Sequence, residues 1–135
     1  MTDNNAASAV PRPRILIVDD SALVRLYCRD VLERGGFEVQ QAINGIEAME
    51  KVLAQSFDLL IVDVNMPRMD GFSFIRALRG STFDVATLPV LIMTTEAGAQ
   101  DREDARVAGA NFYLVKPVAE AELLRHAALL TDARQ

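Results

Sequence analysis

The chain has 135 residues, of which 50% are hydrophobic and 24% charged, a balance that predicts one compact domain without room for a second. Its net charge of −5 at pH 7 excludes strong attraction to nucleic acid or anionic lipid, and its single cysteine, Cys28, excludes a disulfide framework or a cysteine-based metal cluster. The apolar runs are far shorter than the ~18 residues of a membrane span, and residues 1–14 lack the apolar middle of a signal peptide, so we expect no membrane insertion and a cytoplasmic location.

The first part of the chain is polar, contains two prolines and has no periodicity, so we expect residues 1–13 to form a flexible tail. From residue 14 onward, short β-branched runs alternate with helical patterns, which predicts repeated βα units. The predicted strands are 14–18, 37–42, 59–62, 90–93 and 111–115. The fold class is therefore α/β, a doubly wound five-stranded parallel sheet with five helices, and residues 132–135 form a short C-terminal end.

The five helices are expected between and after these strands. The first begins after Ser21, a good N-cap, and ends at Gly35-Gly36; the others begin near Asn44, Gly71, Glu96 and Ala119. Helical spacing predicts inward-facing residues on the first helix, at Ala22, Leu26, Val31 and Leu32, and on the last helix, at Leu123, Leu124, Ala127 and Leu130. The sole histidine, His126, is expected to be partly solvated on the last helix.

Five polar side chains stand where four apolar runs end: Asp19 and Asp20, Asp63, Thr94, and Lys116. Because the carboxyl ends of parallel strands meet at one edge of a sheet, we expect these groups to face a shared ligand. An isolated Asp-Asp-Ser before a helix is more often a simple N-cap. The third carboxylate, at the end of a different strand, favours a functional site instead.

Three carboxylates within ~5 Å would repel by roughly 3 kcal/mol per pair at an effective dielectric near 20, so a divalent cation is expected to compensate them. Oxygen ligands favour Mg²⁺, with Mn²⁺ as the alternative ion, and the lack of histidine or cysteine ligands at the strand ends argues against zinc. The hydroxyl of Thr94 and the ammonium of Lys116 would complement the oxygens of a phosphoryl group.

Four segments now identify a family resemblance: Ile-Leu-Ile-Val-Asp-Asp-Ser at 15–21, Asp-Val-Asn-Met-Pro-Arg-Met-Asp-Gly at 63–71, Pro-Val-Leu-Ile-Met-Thr-Thr-Glu-Ala at 89–97, and Ala-Gly-Ala-Asn-Phe-Tyr-Leu-Val-Lys-Pro at 108–117. The chain resembles a stand-alone response-regulator receiver domain of the CheY-like kind over residues 14–131. The resemblance implies the flavodoxin-like strand order 2-1-3-4-5.

The resemblance also implies roles for individual residues. Asp63 would be the phosphoacceptor, and Mg²⁺ would be held by Asp19, Asp20, Asp63 and the backbone carbonyl of Asn65. Lys116 and Thr94 would bind the phosphoryl group, Thr94 and Tyr113 would act as the switch, and the bond before Pro117 would be cis. Three residues are expected to affect the lifetime of the phosphorylated state: Asn65 and Glu96, which resemble members whose phosphoryl group turns over quickly, and Thr95, which stands where the family usually carries a small residue.

The function implied is a phosphorylation-controlled switch of a two-component system, with self-catalysed phosphotransfer and autodephosphorylation but no other enzymatic activity. Its partners would be a sensor histidine kinase or histidine phosphotransfer protein and an output protein that binds the face formed by residues 97–131. We expect a monomer, with dimerisation on phosphorylation left open. A chemotaxis regulator, a phosphorelay shuttle and a phosphate sink share the same motifs.

Two alternatives come from other classes. The segment Asp63-Val64-Asn65 resembles the nucleophile motif of a haloacid dehalogenase-type phosphatase, but that family places the motif on the first strand of a longer chain with a cap. A flavin-binding electron carrier of the same fold would need a Ser/Thr/Gly-rich phosphate loop after the first strand. The acidic pair Asp19-Asp20 at that point would repel a phosphate unless a metal intervened.

Overall fold

The structure of the protein, a computed structural model, describes residues 12–66 and 69–134. Most of the tail expected at residues 1–13 lies outside the described residues, as do residue 135 and the central positions 67 and 68 of the 63–71 motif. None of the helices in the described part of the chain combines the length and the apolar character needed to span a bilayer.

The described residues contain one parallel sheet with the strand order β2-β1-β3-β4-β5. This confirms the doubly wound fold and the order 2-1-3-4-5. Each strand lies within one residue of the predicted bounds at either end. The strands are β1 (Arg14–Val18), β2 (Glu38–Ala42), β3 (Leu59–Val62), β4 (Val90–Thr94) and β5 (Phe112–Val115).

Helices connect the strands and cover both faces of the sheet. They are α1 (Ala22–Arg34), α2 (Gly45–Ala54), α3 (Gly71–Arg79), α4 (Phe83–Ala86), α5 (Ala99–Ala108) and α6 (Glu120–Arg134). The sequence predicted five of these six described helices, because α4 is a single four-residue turn whose apolar positions show no helical period. The helix expected from Glu96 begins instead at Ala99, after the N-cap Gly98.

The apolar strands feed two separate cores because successive strand residues point to opposite faces. One core joins the sheet to α2, α3 and α5 and includes Leu16, Leu60, Ile92 and Phe74. The other core joins the sheet to α1 and α6 and includes Ile17, Ile61, Leu91, Cys28 and Leu123. Burial on both faces explains why the central strands read as continuous apolar runs. The parallel pairing of these strands brings their carboxyl ends to one edge of the sheet.

The inward face of α1 differs from the predicted one. Val31 and Leu32 are buried as expected, but Leu26 is 49% exposed and Ala22 is exposed. The buried stripe instead includes Cys28, which follows Val24 by one turn, and Val24 packs against the same core. Burial raises the pKa of the Cys28 thiol to about 12, so this cysteine is an inert core residue.

The last helix buries Leu123, Ala127 and Leu130, as its spacing predicts, and the fourth predicted residue, Leu124, is partly buried against the same core. His126 was expected to be partly solvated, and that prediction is wrong. Its side chain is buried, its ring lies edge-on against Phe112 with centroids 5.5 Å apart, and its Nδ1 is 2.9 Å from a backbone oxygen one turn earlier. The partly exposed ring of Phe112 covers the imidazole, a contact across 14 residues of sequence that helical periodicity does not reveal.

Candidate functional site

Backbone hydrogen bonds carry three of the strand-end residues to one edge of the sheet. The N–H of Asp19 donates to the carbonyl of Ala42 at 3.1 Å, and the N–H of Asp63 donates to the carbonyl of Val18 at 2.9 Å. The N–H of Lys116 donates to the carbonyl of Thr94 at 2.7 Å. These bonds continue the strand ladders by one residue, so the positions of the side chains are set by rigid elements.

The three strand-end acids form one cluster. Each of Asp19, Asp20 and Asp63 offers a carboxylate oxygen, and these oxygens lie within 4.8 Å of one another. Asp19 and Asp63 are buried, with 2% and 7% exposure, whereas Asp20 is exposed at the mouth of the site. Repulsion among three charges at this spacing is costly, so the arrangement requires nearby positive charge.

Lys116 supplies one such charge. Its Nζ donates a 2.9 Å hydrogen bond to Oδ2 of Asp19 and lies 3.7 Å from Oδ2 of Asp63. Oδ1 of Asp19 accepts the N–H of Ser21 at 2.9 Å, so both oxygens of this carboxylate are engaged. The peptide bond between Lys116 and Pro117 is cis.

The carboxyl group of Asp63 has an unusual electrostatic environment. Burial raises its pKa above the ordinary value, and the charges of Asp19 and Asp20 add to the increase. The ammonium of Lys116 and a hydrogen bond from the N–H of Asn65, 3.3 Å from Oδ1, act in the opposite direction. Burial, two nearby carboxylates and one ammonium therefore all affect the pKa of Asp63, with burial as the largest effect.

The loop after β3 holds Asp63 through a close backbone approach. The N–H of Gly71 donates to the carbonyl of Val64 at 3.2 Å, and a Cβ on Gly71 would lie only 2.5 Å from the carbonyl oxygen of Asp63. Asp70 caps α3 by accepting the N–H of Ser73 at 2.9 Å. A glycine is thus required where α3 begins beside the acidic cluster.

Thr94 and Tyr113 both contact the backbone of Glu96. The hydroxyl of Thr94, which is fully buried, accepts the N–H of Glu96 at 3.3 Å. The hydroxyl of Tyr113 donates to the carbonyl of Glu96 at 2.6 Å, and the guanidinium of Arg102 lies 4.9 Å from the centre of the tyrosine ring. The backbone of Glu96 therefore connects Thr94, at the edge of the site, to the ring of Tyr113. This ring lies on the surface formed by α5 (Ala99–Ala108) and β5 (Phe112–Val115), the α5–β5 surface.

The three residues expected to affect the phosphorylated state are all exposed at the rim: Asn65, Thr95 and Glu96. Thr95 lines an apolar groove of about 560 Å³ that also includes Leu23 and Lys116. Thr95 and the lysine that contacts the acids therefore line the same groove.

The donor atoms of this cluster fit Mg²⁺. Hard carboxylate oxygens are the ligands that this ion prefers, and it typically binds one or two of them together with phosphate oxygens and water. The cluster consists of aspartates alone, so its chemistry does not match the nitrogen and sulfur donors of a zinc site. Asp19, Asp20 and Asp63 are the side chains that would hold the ion.

The strand-end pattern missed two residues that support the cluster. Arg25 on α1 donates from Nη1 to the backbone carbonyl of Asp19 at 2.7 Å and from Nε to Oε1 of Gln41 at 3.0 Å. The positive charge of Arg25 lies near the N-terminus of α1, where it opposes the helix dipole. This unfavourable placement was the one feature of the sequence that could have indicated a role for Arg25. Nothing in the local pattern of Gln41 indicated its contact.

Comparison with known proteins agrees with this geometry. The sequence pattern of the response regulator receiver domain matches residues 15–128. This chain belongs to the response regulator receiver domain family. It is therefore a receiver domain of two-component signalling. Asp63 follows the third strand of the described residues and not the first, which argues against the phosphatase alternative.

Individual relatives share the receiver domain in different contexts. The domain is 40% identical over 121 residues to a gliding motility regulatory protein of Myxococcus xanthus, a match covering 90% of this chain and 15% of that protein. It is 38% identical over 127 residues to the transcriptional regulatory protein PrrA of Mycobacterium leprae, covering 94% of this chain and 53% of the relative. The receiver domain thus spans about half, or less, of the length of these curated relatives.

Among solved structures, the chemotaxis protein CheY4 of Vibrio cholerae superposes with a TM-score of 0.84 at 35% identity, covering 89% of this chain and 99% of that one. A second solved structure, from Chloroflexus aurantiacus, superposes with a TM-score of 0.86 at 32% identity, covering 90% of this chain and 99% of that one. The described residues therefore share the fold of these two solved structures.

Proposed function

We propose that this receiver domain accepts a phosphoryl group on Asp63 from the phosphohistidine of a sensor kinase or histidine phosphotransfer protein. The observation that carries this proposal is the meeting of three carboxylates within 4.8 Å beside the Lys116 ammonium. The reaction is Mg²⁺-dependent, and the same site would serve a chemotaxis regulator, a phosphorelay shuttle or a phosphate sink. Transfer and loss of the phosphoryl group are self-catalysed, and the domain acts on no other substrate.

In the transfer, a carboxylate oxygen of Asp63 forms a bond to phosphorus while the phosphorus–nitrogen bond of the phosphohistidine breaks. The electron pair of the broken bond stays on the imidazole. A carboxylate is a weak nucleophile, so the rate depends on alignment and on compensation of the phosphoryl charge. The N–H of Asn65 steadies one oxygen of Asp63, and Lys116 lies where its ammonium can approach an incoming phosphoryl oxygen.

Asp19, Asp20 and Asp63 would hold the Mg²⁺ ion, with the backbone carbonyl of Asn65 as a further ligand. A bound ion would compensate negative charge at the site. Asp19 is prepared for this role because Ser21 and Lys116 already orient its carboxylate. Asp20 is the exposed member of the cluster, so its carboxylate is the one open to solvent.

The output is a change in the surface formed by residues 97–131, which binds a partner protein. Thr94 moves its hydroxyl toward the phosphoryl group and gives up the N–H of Glu96, and the carbonyl of the same residue transmits the shift to Tyr113. A difference of a few kcal/mol between two states of this face is enough to change partner affinity by orders of magnitude.

The decisive experiment is the intact mass after incubation with acetyl phosphate and Mg²⁺. We expect one added phosphoryl group on the parent, none on Asp63→Asn and none in the presence of EDTA. Asp58→Asn is the matched control, because Asp58 lies at the opposite end of β3 and its carboxylate accepts the N–H of Arg14 at 2.8 Å. It should be phosphorylated like the parent.

Rapid turnover could hide the adduct, so beryllofluoride with Mg²⁺ provides a second measurement. Compared with Mg²⁺ alone, beryllofluoride with Mg²⁺ should raise the melting temperature of the parent and leave that of Asp63→Asn unchanged. If the parent gains no phosphoryl group and shows no such shift, the proposed phosphorylation is wrong and a constitutive binding module is the better interpretation.

A further inference from the structure

The first two acids of the cluster pose a geometric problem. Asp19 and Asp20 are consecutive, and consecutive strand residues point to opposite faces, yet their carboxylate oxygens approach each other and Asp63 within 4.8 Å. The N–H of Asp19 still belongs to the sheet, where it donates to Ala42. The peptide unit that joins the two acids must therefore turn away from the strand pattern and be held there.

Arg25 contacts that peptide unit directly. Its Nη1 donates to the carbonyl oxygen of Asp19 at 2.7 Å, and this oxygen belongs to the same planar peptide as the N–H of Asp20. Fixing the oxygen limits rotation of the whole plane, which in turn limits where both side chains point. The hydrogen bond is short and comes from a charged donor, which makes it one of the stronger kinds.

Gln41 anchors the other side of the same guanidinium. Its Oε1, on β2, accepts a hydrogen bond from Nε of Arg25 at 3.0 Å. The two donors belong to one rigid, planar group, so the carbonyl of Asp19 is tied to α1 and to the neighbouring strand at once. A lysine could reach one of these acceptors but could not bridge both with fixed geometry.

The positive charge of Arg25 would not by itself favour Mg²⁺ binding or the start of α1. A cation near three carboxylates competes with a bound divalent ion, and a cation near the start of a helix opposes the dipole. The guanidinium is nevertheless kept, and its hydrogen bonds go to a backbone carbonyl and an amide. What the structure shows of Arg25 is the geometry of these two hydrogen bonds, which hold the carbonyl of Asp19.

We propose that Arg25 is a positioning residue for the Mg²⁺ site, which orients the peptide between Asp19 and Asp20 and is itself anchored by Gln41. This inference rests on the proposed function, because it concerns the same acidic site. Hydrogen-bond partners that orient metal ligands typically contribute 10–100-fold to metal affinity. We therefore expect Arg25 to contribute about tenfold to the affinity for Mg²⁺.

The test is a calorimetric titration of the full chain with Mg²⁺ alone. Arg25→Met should raise the Kd about tenfold, Arg25→Lys should restore part of the affinity, and Gln41→Met should raise the Kd by a smaller factor in the same direction. Arg29→Met is the matched control, because Arg29 lies one turn further along α1, where its guanidinium pairs with Glu33 at 4.0 Å. It removes the same charge and should leave the Kd unchanged.

The sign of the change separates positioning from electrostatics. If Arg25 acted only through its charge, Arg25→Met would bind Mg²⁺ more tightly than the parent. A lower or unchanged Kd in both Arg25→Met and Gln41→Met overturns the inference. Should Arg25→Met fail to fold, Gln41→Met still decides, because it leaves the arginine in place.

The phosphorylation assay separates this inference from the proposed function. A parent that binds Mg²⁺ and becomes phosphorylated, with unaltered Mg²⁺ affinity in the two variants, overturns the positioning role alone. A parent that neither binds Mg²⁺ nor gains a phosphoryl group overturns the proposed function, and the positioning role with it.

Discussion

The ammonium of Lys116 lies 2.9 Å from Oδ2 of Asp19 but 3.7 Å from Oδ2 of Asp63, so it donates its hydrogen bond to the first acid and approaches the second by charge alone. Asp63, the proposed phosphoacceptor, thus has a carboxylate oxygen near the Lys116 ammonium, while that ammonium donates its hydrogen bond to Asp19. Lys116 holds the acidic cluster together and remains close enough to meet a phosphoryl group on Asp63.

Replacing Lys116 by methionine should destabilise the protein in Mg²⁺-free buffer by about 1–3 kcal/mol, because it leaves the buried carboxylate of Asp19 without its cation. The loss should be below the roughly 3–5 kcal/mol of a fully buried pair, since the lysine side chain keeps 16% exposure. Mg²⁺ should restore much of it. Urea denaturation with and without Mg²⁺ measures both effects.

Lys51→Met is the control for this prediction. Its ammonium donates to the backbone carbonyl of Gln41 and to no acid of the cluster. Added Mg²⁺ should stabilise it no more than it stabilises the parent. Equal Mg²⁺ responses in the two lysine variants would show that Lys116 does not compensate the acids.

Asp63→Asn should increase the free energy of unfolding at neutral pH in EDTA, because burial raises the pKa of Asp63 and makes its charged form unfavourable in the folded state. A raised folded-state pKa means that the folded state binds the proton more tightly than the unfolded state. The protonated carboxyl of Asp63 therefore stabilises the folded state fully at pH values below its pKa in the unfolded state. This stabilisation is lost as the pH rises through its pKa in the folded state.

The advantage of Asp63→Asn over the parent should therefore shrink as the pH falls through the raised pKa toward the ordinary value of 3.8. Urea denaturation at several pH values from neutral to acidic measures this trend. Asp58→Asn should give no stabilisation at neutral pH, because the Asp58 carboxylate accepts the N–H of Arg14. An advantage that grows on acidification would contradict the assigned direction of the shift.

Gly71→Ala should cost about 1–3 kcal/mol of stability, in the range for overpacked sites. Its Cβ would lie 2.5 Å from the carbonyl oxygen of Asp63 and 2.7 Å from Cα of Val64, and both are backbone atoms that cannot rotate away. Gly80→Ala is the control, since its Cβ would meet nothing closer than 3.7 Å and its φ is −90°. Thermal unfolding should separate the two, and equal stabilities would refute the close approach.

Thr95→Ala should shorten the lifetime of phosphorylated Asp63 by a few-fold. Thr95 is exposed at the rim of the groove that includes Lys116, and a smaller side chain would open the path for water to the phosphoryl group. The rate of dephosphorylation after removal of the phosphodonor gives the measurement. Identical rates in Thr95→Ala and the parent would remove the idea.

The parts of the fold and site that sequence patterns predicted share one physical cause. Apolar runs four or five residues long, separated by helical patterns, specify parallel strands, and parallel strands bring their carboxyl ends to one edge. The proximity of Asp19, Asp63 and Lys116 follows from that rule without any knowledge of side-chain contacts. The strand order came from the family resemblance and not from the pattern itself.

The parts that sequence patterns did not predict depend on contacts between distant residues. The choice of Cys28 over Leu26 for the buried face of α1 depends on how the helix rotates against the sheet, and the spacing of apolar residues allowed both. The burial of His126 requires the ring of Phe112, and the role of Arg25 requires a partner 16 residues away. Local periodicity contains no information on such pairs.

Tyr113→Ala should reduce the response of the α5–β5 surface while leaving phosphorylation intact. The hydroxyl of Tyr113 donates a 2.6 Å hydrogen bond to the carbonyl of Glu96 and does not contact the acidic cluster. Its loss should therefore disconnect the acidic site from the α5–β5 surface. Hydrogen exchange over residues 95–108, compared with and without beryllofluoride and Mg²⁺, measures the response. Tyr113→Phe, which keeps the ring beneath Arg102 and loses only the hydroxyl, should give an intermediate change.

Tyr27→Phe is the control for Tyr113, because the Tyr27 hydroxyl donates to the carbonyl of Val118 at 2.8 Å on the α1 side of the sheet. It should keep the exchange response of the parent. Intact mass with acetyl phosphate provides the second measurement for every variant. If Tyr113→Ala lost phosphorylation as well as the exchange response, Tyr113 would belong to the reaction site, and the coupling through Glu96 would have to be abandoned.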